Sequence, residues 1–252
     1  MRRELRRPAG LMLAILCLAS PAIRSGQTED EAFYAAKRKA MVETQLKARD
    51  IKDPRILEIM GSLPRQLFVG AEYRRRAYED YPLPIDEGQT ISQPYIVALM
   101  TQALGVKPGD KVLEVGTGSG YQAAVLSRLA RRVYSIDISV ALTRKAGQTL
   151  AALGCANVEV KSDDGYFGWV EQAPFDAVMV TCAARQIPPP LIQQLKEGGR
   201  LVIPLEETDE YQSLKRVTKT NGKPVIEQLA QVRFVPMLGQ DKKKHAAGAE
   251  RP

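Results

Sequence analysis

The chain reads as an α/β protein: a mostly parallel, seven-stranded sheet with helices on both faces, an N-terminal helical appendage and an antiparallel C-terminal edge. Three observations lead there. From Lys111 onward, short apolar runs that fit strands alternate with segments of helical periodicity, the pattern that lays crossover helices over a parallel sheet. The first of these strands runs into a loop with glycine at every second position, a strand-to-helix turn. The 252 residues, 44% hydrophobic and 26% charged, hold enough apolar material for one substantial core with an addition.

Four segments follow in order. Residues 1–25 read as a signal-like leader or a disordered extension: MRRELRRPAG is basic, LMLAILCLA is apolar, and Ser20-Pro21-Ala22 offers small residues at a cleavage position. Nine apolar residues are too few to cross a bilayer, which takes about twenty in a helix, so no stable membrane anchor is expected. Residues 30–105 form the helical appendage and a substrate or active-site loop. Within it, residues 31–50 are helical, with Phe33, Ala36, Ala40, Val42 and Leu46 on one side, and Asp53-Pro54 caps and opens the next helix.

Residues 106–240 carry the alternation: strand 111–115, helix 120–130, strand 132–137, helix 139–152, strands 157–162 and 175–181, helix 189–196 and strand 200–205. Gly198-Gly199 is expected to end the last helix, and Asn221-Gly222 to turn a hairpin between residues 214–217 and 225–229. Residues 241–252, DKKKHAAGAERP, read as a disordered basic tail.

Composition narrows the chemistry. The net charge is +7, but residues 1–22 hold four arginines against one glutamate, so the remainder keeps about +4 and no nucleic-acid partner is expected. Cys155 and Cys182 sit in strand-like contexts and read as packed thiols, with no disulfide framework. The only histidine, His245, lies in the tail, so Ser-His-Asp or Cys-His catalysis and His-ligated zinc lack their central residue in the folded body. No metal is expected.

The chemistry-bearing stretch is KVLEVGTGSGY, residues 111–121. Glycines at 116, 118 and 120 let the backbone bend and lie against a ligand with no Cβ in the way, while the next helix presents free N–H groups. A dinucleotide fingerprint needs a third glycine where Tyr121 stands. The order E-V-G-x-G-x-G, with Glu114 two residues before Gly116, resembles instead the first motif of class I S-adenosylmethionine (AdoMet) methyltransferases, which implies a Rossmann-like fold. About twenty residues on, a second strand ends at Asp137, placed to accept hydrogen bonds from ribose hydroxyls in either cofactor type.

GQTISQPYIVALMTQAL, just upstream, joins this loop in a specific pairing. With DDGYFGW, PFDAVMVTCAARQIPPPLIQQLKEGGRLVIPL, LKRVTK and VRFVPML in the same order, it resembles the protein-L-isoaspartate O-methyltransferases over roughly residues 35–240. The resemblance implies transfer of the AdoMet methyl to the α-carboxylate of isoaspartyl residues in damaged proteins. It implies Ser92 as the active-site residue and Thr90, Ile91, Glu114, Gly116, Thr117, Gly118, Gly120, Asp137, Ile138, Asp164, Gly165 and Thr181 at the cofactor.

Gln89, Ser92, Tyr95, Ala183, Phe234 and Val235 would meet an extended peptide, with Tyr81 and residues 232–236 bordering its groove. Asp137 stands where many relatives have glutamate, and Asp163-Asp164-Gly165 replaces a usual Gly-Asp-Gly, so either aspartate is a candidate for adenine. Ser92 has a second reading as the N-cap of the helix that begins at Pro94 or Tyr95, and Phe234 and Val235 a second reading as edge-strand core. The chain is expected to be a monomer. The family is ordinarily cytoplasmic while the leader points to a periplasm, and both locations stay open. Transfer to RNA or a small molecule, and AdoMet binding without catalysis, are the competing functions; residues 181–190, TCAARQIPPP, lack the aromatic that grips a flipped base.

Overall fold

A computed structural model describes residues 21–208 and 211–240, with side chains from residue 30; most of the leader and all of the basic tail lie outside it. Helix α1 (Pro21–Met41) passes into a π-helical turn, Val42–Lys47, and α2 (Pro54–Ser62) follows, capped by the Asp53 carboxylate on the Arg55 N–H as its sequence predicts. The inward face of α1 differs from the expectation. Ala36 and Ala40 are exposed, while Arg38, Met41, Val42 and Leu46 are buried. A polar residue hides this face from an apolar count: the Arg38 guanidinium donates to Tyr78 Oη at 3.0 Å and to the Gly61 carbonyl at 3.1 Å.

The loop before the cofactor domain is a small antiparallel ribbon, β1 (Leu83–Pro84) and β2 (Thr90–Ile91), around a turn at Asp86–Gly88. It delivers the chain into α3 (Pro94–Leu104), which ends on left-handed Gly105. The main elements are β3 (Lys111–Val115), α4 (Tyr121–Ser127), β4 (Arg132–Asp137), α5 (Val140–Ala152), β5 (Val158–Ser162), β6 (Phe175–Val180), α6 (Pro189–Gln193), β7 (Leu195–Glu206), β8 (Gln212–Thr220) and β9 (Lys223–Val232). They form a seven-stranded sheet in the order β5-β4-β3-β6-β7-β8-β9, parallel through β7 and antiparallel at β8 and β9.

Side chains alternate across this sheet. Val112, Val133, Ala177, Val202 and Leu214 face one apolar cluster, which also takes in the appendage, α3 and α4; Leu113, Ile136, Val178, Leu201 and Ile203 face the other. The expected turn at Asn221-Gly222 joins β8 to β9 with φ of 51° and 73°, the left-handed pair a two-residue hairpin requires.

Gly198-Gly199 departs from its reading. The helix stops at Gln193, and the glycines lie in a bulge of β7, where Phe175 opposes Leu195 but Ala177 opposes Arg200. Left-handed glycine serves a helix end and a strand bulge equally well, so local sequence does not separate the two.

Candidate active site

The C-terminal ends of β3, β4 and β6 meet beneath the glycine loop. The Gly116 N–H donates to the Ile136 carbonyl at 2.8 Å, which continues the β3–β4 ladder past the strand end. Gly116 has φ of 99°, and a Cβ there would stand 2.3 Å from Thr181 Oγ1. Gly120, with φ of 87°, backs onto α5, where a Cβ would lie 3.1 Å from that of Ala146. It sets the angle of α4 and keeps off the ligand-facing surface.

Asp137 organises the next layer. Its Oδ2 accepts the Gly118 N–H at 2.8 Å and its Oδ1 accepts the Ser139 N–H at 2.9 Å, which fixes the glycine loop and the entry to α5 with one carboxylate. Each oxygen keeps a lone pair for a hydroxyl donor. Glu114 is wholly buried behind the loop; Oε2 meets the Ser135 hydroxyl, which lies 2.6 Å from that of Thr117, and Oε1 has no partner among the described residues. Burial, reinforced by the charge of Asp137, pushes the Glu114 carboxyl up to about 8.

A cavity of about 470 Å³ opens over this layer. Of the residues foreseen, Gln89, Thr90, Gly116, Gly118, Asp137, Ile138, Gly165, Thr181 and Val235 line it. A smaller pocket of about 40 Å³ holds Ser92, Ile91, Thr117 and Tyr121, and Thr90, Gly116, Gly118 and Thr181 belong to the walls of both. The β1–β2 ribbon is held over this junction by Lys145 of α5, whose Nζ lies 2.7 Å from Asp86.

Other foreseen residues stand elsewhere. Glu114, Gly120 and Ala183 lie behind the walls: Ala183 is buried and accepts the Met237 N–H at 2.7 Å. Asp164 spends its carboxylate inside the protein, on the N–H groups of Tyr166 at 3.0 Å and Gln240 at 2.8 Å, and Asp163 pairs with Lys161. Tyr95 bonds Asp50 at 2.7 Å with Arg49 over its ring, and Tyr81 receives Arg76. Phe234 packs on the core. Ser92 does not cap α3: the cap position falls on Gln93 and carries no side-chain bond.

Sequence reasoning missed Ser139, Val140, Leu142, Met237 and Leu238 on the cavity wall. Val140 is 69% exposed and Ile138 45%, apolar surface at a cavity mouth, where a flat apolar ligand would cover it. Cys182, read as a packed thiol and also as part of residues 180–183, which the resemblance implies at the reaction centre, lies half-buried on the same wall, whereas Cys155 is buried as expected. Among the described residues no cluster of histidine, cysteine or carboxylate could hold a metal, and no helix is long and apolar enough to cross a membrane.

The sequence model of the Protein-L-isoaspartate(D-aspartate) O-methyltransferase family matches residues 36–242. Protein-L-isoaspartate O-methyltransferase 2 of Shewanella sediminis is 49% identical over 91% of this chain and 94% of its own, and the Opitutus terrae protein-L-isoaspartate O-methyltransferase 56% over 79% and 86%. A solved protein-L-isoaspartate O-methyltransferase superposes with a TM-score of 0.76 at 30% identity, covering 85% of this chain and 71% of its own. A Plasmodium falciparum structure described as a putative member, in complex with S-adenosyl-L-homocysteine, gives 0.70 at 28% identity, covering 80% and 98%.

Proposed function

We infer the chemistry of this site from the family to which the chain belongs, that of the protein-L-isoaspartate(D-aspartate) O-methyltransferases. The protein is an AdoMet-dependent enzyme that methylates the α-carboxylate of isoaspartyl residues in damaged proteins and so starts their repair through a succinimide. One observation carries the assignment of the site: Thr90, Gly116, Gly118 and Thr181 form a shared wall between the large cavity with Asp137 and the small pocket with Ser92.

The residues present fit the cofactor. A cavity of about 470 Å³ is in the range of nucleotide-sized sites, Asp137 offers acceptors for ribose hydroxyls, Ile138, Val140 and Leu142 offer apolar cover for a base, and the missing Cβ at Gly118 leaves room along the loop. When bound, AdoMet supplies an electrophilic methyl group on a sulfonium.

The rest is positioning. An isoaspartyl α-carboxylate has an ordinary pKa near 3.5 and is already ionised at neutral pH, so no general base is required. The Ser92 hydroxyl, which makes no hydrogen bond among the described residues, is free to orient that carboxylate, and the ribbon from Gln89 to Ile91 covers the junction against water. Holding nucleophile and electrophile in line supplies several kcal/mol of barrier reduction.

Incubation with labelled AdoMet and paired isoaspartyl and aspartyl peptides tests this reading. Base-labile label on the isoaspartyl peptide alone supports it; label on RNA, or binding without transfer, overturns it. The basic and apolar N-terminal segment supports export, which N-terminal sequencing of the periplasmic fraction tests, and a monomeric state is tested by light scattering.

A further inference from the structure

Arg65 is 0% exposed, yet among the described residues it has no acidic partner. It begins the 3-10 turn Arg65–Phe68 of the appendage. Its Nε donates to the Ala77 carbonyl at 2.6 Å, its Nη2 donates to the Ser92 carbonyl at 2.7 Å, and among the described residues Nη1 finds no well-aligned acceptor. The guanidinium lies 4.7 Å from the centre of the Tyr121 ring, a wall of the Ser92 pocket. Burial lowers the group to about 10, which leaves it a cation at neutral pH.

A buried charge without a counter-ion costs several kcal/mol, and two carbonyls and an aromatic face offset only part of that. The cost falls behind the one pocket that, on the function proposed above, must receive an anion. We propose that Arg65 is a positioning residue of the carboxylate subsite: it holds Ser92 by its carbonyl and supplies the positive potential that an isoaspartyl carboxylate meets on entering. The substrate then acts as the absent counter-ion across a low-dielectric gap, so charge selectivity comes from behind the wall, not from a cation on it.

The test is the KM of an isoaspartyl peptide beside the inhibition constant of the same peptide with its α-carboxylate replaced by a neutral carboxamide, in Arg65→Met, Arg65→Gln and Arg65→Lys. Removing the charge should raise KM by roughly 10- to 100-fold while the neutral peptide and S-adenosylhomocysteine bind within about twofold of the unmodified enzyme. Lysine should restore part of KM and glutamine, a neutral donor, should not. Equal losses for charged and neutral peptides would reduce Arg65 to a structural tie, and an unchanged KM would also overturn the proposal. If methionine prevents folding, the lysine and glutamine variants decide it. An unmodified enzyme inert toward isoaspartyl peptides would sink the functional reading itself, which separates the two failures.

Discussion

The Thr181 hydroxyl lies 2.6 Å from the Gly116 carbonyl, which ties the tips of two neighbouring parallel strands, β3 and β6, where the cavity floor passes between them. Gly116 is locked there twice, by a φ of 99° that L-residues avoid and by a Cβ position 2.3 Å from the Thr181 oxygen. Gly118, with φ of 51° and its nearest neighbour at 3.7 Å, carries only the milder left-handed cost. Gly116→Ala should therefore lose about 3 kcal/mol in urea unfolding, from strain and overpacking together, and Gly118→Ala about 1 kcal/mol. Equal losses would refute the close approach at Gly116.

Asp137 serves two N–H donors with opposite oxygens, and an asparagine cannot copy that. Whichever way the amide is turned, its NH₂ faces either Gly118 or Ser139, donor against donor. Asp137→Asn is expected to lose about 1–3 kcal/mol of stability and to weaken S-adenosylhomocysteine binding by at least about tenfold in calorimetric titration. Retained affinity would place the ribose elsewhere.

The buried acid behind the loop predicts a pH dependence of stability. Glu114 sits at about 8 in the folded protein against an ordinary value of 4.5, so between these the folded state keeps a proton that the unfolded chain has released. Its contribution is complete below the lower value and is lost as pH rises through the upper one. The melting temperature should fall across this window, and Glu114→Gln, neutral at every pH, should flatten the fall. Parallel profiles for the two proteins would mean that Glu114 ionises normally.

Much of the site was legible because its signals are local. The glycine spacing, Asp137 at a strand end and the Asn221-Gly222 turn each impose a backbone conformation that few sequences satisfy, and each lies where its local signal puts it. What escaped depends on three-dimensional neighbours. Nothing in the local sequence marks Arg38 or Arg65 as buried; only the fold brings Tyr78, Tyr121 and distant carbonyls beside them. Val140, Met237 and Leu238 carry no motif, and only the fold puts them at a cavity. Gly198 signals a left-handed residue without saying whether a helix or a strand surrounds it.

Ser92 offers the sharpest division between structure and chemistry. Serine two residues before a helix-opening proline suggests an N-cap, whose loss would cost about 1 kcal/mol. The helix takes Gln93 at that position without a side-chain bond, and Arg65 holds Ser92 by its carbonyl, which alanine keeps. Ser92→Ala should thus leave stability within about 0.5 kcal/mol and S-adenosylhomocysteine affinity unchanged. Turnover of an isoaspartyl peptide should drop by about 10- to 100-fold, the loss expected when one hydrogen bond to a charged, reacting group is removed. A drop in kcat with KM held would mean that the bond strengthens as the carboxylate reaches the methyl; a rise in KM alone would make it a binding contact. A loss of stability with turnover intact would restore the capping role and leave the carboxylate to backbone N–H groups.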